Sequence, residues 1–303
     1  MRVSSASWVP LAIYAASALG AAGVRPKQVK NLVTFGDSYT DTVITGDGGV
    51  AWPIYAAGYA QVSLFPFARA GATCSNDITF RPFPSVFESQ LPLYFTEKRN
   101  GSLKLDPKET IYTLWIGTND LGVNSLVSGS NKASIVDVAA CMVNWVKVLY
   151  ASGARNFLFQ NMIPLQTAPL YAPDSQPNRY WSAPRNTTEW SVFMTELALS
   201  GNALTKLMLQ ALAPSLPGSH IGIFDSHALF ADIFAHPAAY LNGTAPPNWR
   251  KMALQEHAQQ SKALPGTAFS GSMSFIRANK PIEWLPEKLP GPFKVEKADG
   301  QRG

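Results

Sequence analysis

Residues 31–41 read NLVTFGDSYTD, a compact apolar run that ends at Gly36 and passes at once into polar residues. A buried strand followed by a tight turn fits this pattern, and the turn would lift the Ser38 hydroxyl out of the edge of a sheet. A serine hydroxyl is protonated at neutral pH. As a nucleophile it needs a base to take its proton and donors to hold the oxyanion that its attack creates.

The rest of the chain to residue 248 repeats the change from strand to helix. Strands are expected at 31–35, 111–116, 156–161 and 220–224. A helix is expected after Ser134, with Ser134 and Asp137 as a capping pair and Gly153 at its end. Two more are expected from about Glu189 to Ala213 and from about His227 to His236. Strands alternating with helices call for a parallel sheet with helices on both faces. Active groups in such sheets lie on loops at the carboxyl ends of strands.

Gly-Asp-Ser alone is a weak signal. The fifth position counted from Gly36 is Thr40, so there is no Gly-x-Ser-x-Gly elbow, and zinc-protease and P-loop motifs are absent as well. Two further stretches add weight. ARAGATCSN (68–76) offers the Gly71 N–H, and WIGTND (115–120) offers the Asn119 amide just past a strand. With the Ser38 N–H, three donors would converge on one oxygen. Each has an ordinary role on its own, Gly71 in a turn and Asn119 as a helix cap.

Taken together, FGDSYTDT, ARAGATCSN and WIGTND resemble the GDSL/SGNH-hydrolase superfamily, and in particular its fungal acetylesterase branch, carbohydrate esterase family 16. The resemblance implies an α/β three-layer sandwich around a central parallel sheet, flavodoxin-like in plan. It implies Ser38 as nucleophile, Gly71 and Asn119 completing the oxyanion hole, and Trp52 as a substrate-wall aromatic. It implies a secreted ester hydrolase acting on acetylated carbohydrate, with no metal or organic cofactor, no nucleic-acid partner, no membrane span and a monomeric state. The segment 225–244 resembles the stretch before the family's last catalytic block.

That block carries the family's acid and base as Asp-x-x-His, and here it is missing. The residues three before His220, His227, His236 and His257 are Pro217, Phe224, Ile233 and Leu254. Asp232 and His236 are four apart inside the expected helix, and His236 reads as a helix-end residue. His227 reads as packed beside a strand end, and His257 has only Glu256 beside it. The catalytic His and Asp are therefore unassigned, and the chain as given is expected to be inactive or weakened. The rival readings are a non-catalytic secreted protein that binds acylated sugars, and a mis-spliced product whose tail comes from altered reading.

The ends differ from the middle. Residues 1–22 have Arg2, an apolar run from Trp8 and small residues at Ala18, Gly20 and Ala22, the pattern of a cleaved signal peptide. Sequons at Asn100, Asn186 and Asn242 agree with export. Cys74 and Cys141 would form one disulfide in an oxidising compartment or remain two buried thiols. The hydrolase domain is expected over 28–248. Of the net charge of +5, +4 lies in 249–303, where nine cations face five acids among scattered Pro and Gly, and this reads as an atypical, poorly ordered tail. An Asp-x-x-His segment is therefore expected just downstream of the codons for 242–248, in another frame or beyond an unspliced intron. Genomic sequence and transcript reads check this; clean reads with no such segment in any frame would refute it.

Overall fold

The structure, a computed structural model, describes residues 24–44, 49–178, 180–240 and 296–297. The expected leader, Asn242, His257 and nearly all of the tail lie outside them. The first apolar run becomes β1 (Asn31–Gly36), buried from Leu32 onward as a strand with neighbours on both edges must be. It pairs in parallel with β2 (Ser63–Pro66) on one side and β3 (Thr110–Trp115) on the other. Next come β4 (Asn156–Gln160) and β5 (His220–Phe224), also parallel, and the two-residue β6 (Glu296–Lys297) lies antiparallel to β5. The order is β2-β1-β3-β4-β5-β6. The chain steps outward from β1 to β2 and then returns past β1 to β3. Ligands of open α/β sheets bind beyond the carboxyl ends of the strands where the order reverses, which here lies between β1 and β3.

The helices are α1 (Trp52–Ala60), α2 (Leu91–Arg99), α3 (Thr118–Leu121), α4 (Ile135–Ala151), α5 (Thr187–Leu212), α6 (Ser226–Ala235) and α7 (Pro237–Tyr240). On one face of the sheet, Phe35 of β1 stacks on Phe67 at 5.4 Å and meets Trp145 of α4 at 5.7 Å and Tyr94 of α2 at 5.8 Å. Side chains alternate along a strand, so Leu114 and Trp115 of β3 take opposite faces. Trp115 meets Phe230 of α6 at 5.9 Å on the other face. This is the three-layer sandwich that the strand and helix pattern called for.

Local signals explain where the helices begin. Asp137 accepts the Ser134 N–H at 2.8 Å, the return half of a capping box at the start of α4. The exposed Asn186 caps α5, its Oδ1 accepting the Glu189 N–H at 3.1 Å. Asn100, the C-cap of α2, is exposed as well.

Cys74 and Cys141 form a disulfide with their Cα atoms 6.3 Å apart, which removes the two-thiol alternative. The bond ties the loop after β2 to the middle of α4. It closes a chain separation of 67 residues, for which loop-closure entropy gives about 4 kcal/mol of stabilisation. Replacing both cysteines by alanine is expected to cost about that much, read as a lower urea midpoint with a steeper slope, because the unfolded chain loses its cross-link and exposes more surface.

Candidate active site

The turn that carries Ser38 is held from three directions. At Gly36 (φ +146°) a Cβ would lie 2.2 Å from the Trp115 carbonyl oxygen, so only glycine lets the ends of β1 and β3 approach this closely. The buried Gln90 amide then acts as a further strand: its Oε1 accepts the Gly36 N–H at 3.1 Å and its Nε2 donates to the Gly36 carbonyl at 2.8 Å. Beyond Gly36, the Asp37 carbonyl accepts the N–H groups of Thr40 and Asp41, each at 3.0 Å. Its Oδ1 accepts the Tyr39 N–H at 3.0 Å. Ser38 sits on this turn, half-buried.

The loop after β2 is bonded to that turn at one end. Arg69 N–H donates to the Gly36 carbonyl at 3.1 Å, and Ala70 N–H donates to Asp41 Oδ2 at 2.7 Å. Next to Ala70, Gly71 has φ +79°, and a Cβ there would sit 2.5 Å from the Phe83 ring. Its backbone can therefore lie on that ring only as glycine. At the other end, Asn119 Nδ2 donates to the Ala72 carbonyl at 2.8 Å, which leaves its second amide hydrogen for another acceptor. The buried Asp120 carboxylate accepts the Cys74 N–H (3.0 and 3.1 Å to its two oxygens) and the Thr79 hydroxyl (2.7 Å). Ser38, Gly71 and Asn119 thus stand on three interbonded loops at the carboxyl ends of β1, β2 and β3. Trp52, at the start of α1, donates its indole N–H to Thr40 Oγ1 at 3.2 Å and so adjoins the same turn.

The histidines are dispersed. His220 opens β5 at the amino edge of the sheet, its Nδ1 2.8 Å from Asn156 Oδ1. His236 caps the far end of α6, its side chain 68% exposed and its Nδ1 2.9 Å from Asp232 Oδ1. His227 lies in the first turn of α6 at the carboxyl edge, three residues before Phe230. Phe230 meets Trp115, and Trp115 stacks on Tyr39 at 5.0 Å, beside Ser38. Burial holds the His227 imidazole below its ordinary value, favouring the neutral form, and its Nε2 is buried without a hydrogen-bond partner. No hydrogen bond joins it to Ser38.

Two acids under the site are perturbed. Burial pushes the Asp37 carboxyl up to about 7 and the Asp120 carboxyl up to about 6. The Asp120 charge adds to the shift at Asp37, and the Arg81 guanidinium opposes both shifts. Asp37 Oδ2 is buried with no partner. Sequence reasoning did not find Gln90, Asp41 or Asp120. Asp120 stands beside Asn119 in the quoted WIGTND, but nothing local marks Gln90, whose partner is 54 residues away.

The profile of GDSL-like lipases and acylhydrolases matches residues 32–261. The chain belongs to this family. GDSL acylhydrolases hydrolyse ester bonds. The match passes Asn248, where the quoted resemblance ends, and takes in His257. An acetylesterase of Hypocrea jecorina is 29% identical over 264 residues, covering 72% of this chain and 74% of that protein. An acetylesterase of Thermothelomyces thermophilus is 25% identical over 196 residues, covering 52% and 63%. Among solved structures, a lipolytic G-D-S-L family member from Veillonella parvula aligns at 16% identity and a TM-score of 0.39, covering 77% of this chain and 98% of that one.

The buried acids of this GDSL chain set a pH dependence. Both have folded values above the unfolded value, so the native state holds more protons than the unfolded chain between about pH 4 and pH 7. Stability is therefore present in full below about pH 4 and declines as pH rises through 6–7. Asp37→Asn keeps the acceptor for Tyr39 and removes the charge. It is expected to stabilise the chain by about 1–3 kcal/mol at pH 8 and by little at pH 4, read from urea midpoints at the two values.

Proposed function

We propose that the chain is built as an exported, monomeric serine esterase for acetylated carbohydrate, lacking its base as given. The reading rests on one observation, the hydrogen-bonded path from Asp41 through Ala70 and Ala72 to Asn119 that brings three loops to the point where the strand order reverses. In it, Ser38 Oγ attacks the ester carbonyl, and the oxyanion takes hydrogen bonds from the Ser38 and Gly71 N–H groups and from Asn119 Nδ2. The Ser38 proton must pass to a base and on to the leaving alcohol, after which water cleaves acyl-Ser38. Trp52 forms a wall of the site.

Resemblance to the fungal acetylesterases supports the acyl group and the carbohydrate. The disulfide, the leader-like residues 1–22 and the exposed sequons at Asn100 and Asn186 support export. Among the described residues, no helix is long and apolar enough to cross a membrane.

The missing base supports a second reading, a non-catalytic protein that keeps the pocket and binds acylated sugar. No histidine has an aspartate three residues before it, and the hydrogen-bonded Asp232–His236 pair is solvent-exposed at the end of α6. The test expresses residues 24–303 and assays a short-chain acetyl ester beside Ser38→Ala. Little or no turnover is expected from either chain. Turnover of ~10 s⁻¹ or more that Ser38→Ala abolishes would show that a base is present, to be sought with His227→Ala and His257→Ala. In a chain with Asp-x-x-His restored, Asn119→Ala is expected to slow hydrolysis by roughly 10²–10³-fold with little change in substrate binding.

A further inference from the structure

Helix α1 carries no charged residue along WPIYAAGYA. It buries Pro53 and Ala57 and turns the opposite side outward. At 3.6 residues per turn, positions 52, 55 and 59 fall within about 60° of one another, Tyr55 and Tyr59 facing outward and Trp52 half-buried against the core at the inner edge of the sector. All three are aromatic. Tyr55 and Tyr59 are 36% and 65% exposed, with rings 6.4 Å apart and 24° from parallel. Trp52 is bonded through its indole N–H to Thr40, two residues from Ser38. The stripe therefore begins at the Ser38 turn and runs roughly 10 Å outward over the seven residue steps from Trp52 to Tyr59, about the length of two linked sugar units.

We propose that Trp52, Tyr55 and Tyr59 form a track for an unbranched carbohydrate chain, leading its neighbouring sugars away from the acylated one. Flat rings present an apolar face to the C–H faces of sugars, and phenol hydroxyls at their tips exchange hydrogen bonds with sugar hydroxyls. A lipid surface suits the helix less well, because an interfacial helix carries Lys or Arg on its polar face and α1 has none. The occupant is argued from continuity: the stripe's inner end is the wall of the candidate site. The inference rests on the carbohydrate reading above but needs no turnover.

Native gels containing soluble xylan test it, using residues 24–303, Ser38→Ala in that chain, and Tyr55→Ala/Tyr59→Ala. Retardation of the first two is expected, with affinity lower by about fivefold per ring removed in the third. Tyr59→Phe, which keeps the ring, is expected to retain most of the retardation. Circular dichroism and the urea midpoint establish that the double variant folds. Equal retardation of the folded double variant, or no retardation of the starting chain, overturns the track. A dimer that the double variant dissociates, without retardation on xylan, assigns the face to a second copy and also overturns it. Acetyl-ester turnover with no xylan retardation rejects the track and leaves the esterase reading intact. Retardation lost in the double variant keeps the track whether or not any chain turns over acetyl ester.

Discussion

The Asp120 carboxylate is the tie on which the site's shape depends. It is buried, and its oxygens accept the Cys74 N–H and the Thr79 hydroxyl, so the loop after β2 is fastened to the end of β3. Taking a carboxylate out of water is costly, and burial duly raises its affinity for protons. The donors offset part of that cost. The remainder is stability given up so that Gly71 stays on the Phe83 ring and Ala72 stays within reach of Asn119. The disulfide at Cys74 reinforces the same junction covalently, on the side facing α4.

Strands and helices with full periodic patterns were legible in the sequence. The strand expected at 31–35 runs to Gly36, and the helix expected from about Glu189 to Ala213 spans Thr187–Leu212. Ser134 and Asp137 marked a helix start because a capping box is local chemistry. β2, α1 and α2 gave no such signal. β2 is a four-residue edge strand that ends in proline, so it has neither the length nor the alternation that identifies a strand. α1 is apolar on every side, so it shows no contrast at the helical period. α2 follows Gln90, which ends a single π-turn, and no spacing rule anticipates that.

The candidate site was legible where it depends on short motifs and silent where it depends on distant partners. Gly-Asp-Ser, Gly71 and Asn119 each sit beside a strand end, and the strand order brings those ends together. Gln90 and the pairing of Cys74 with Cys141 depend on distances in space that only the fold sets. The bonds described around Ser38, Gly71 and Asn119 all arise between residues 36 and 120. The loops that carry Ser38, Gly71 and Asn119 thus hold one another without a residue from beyond Asp120.

Asn186 presents a different kind of coupling. Its Oδ1 holds the first turn of the 26-residue α5, while its Nδ2 is the atom to which an N-linked sugar attaches. Glycan and cap would therefore occupy opposite sides of one amide without competing. Replacing Asn186 would uncap the helix and abolish the sequon together, whereas changing Thr188 would abolish the sequon alone. The two substitutions would separate the effect of any sugar attached there from what the bare side chain already supplies.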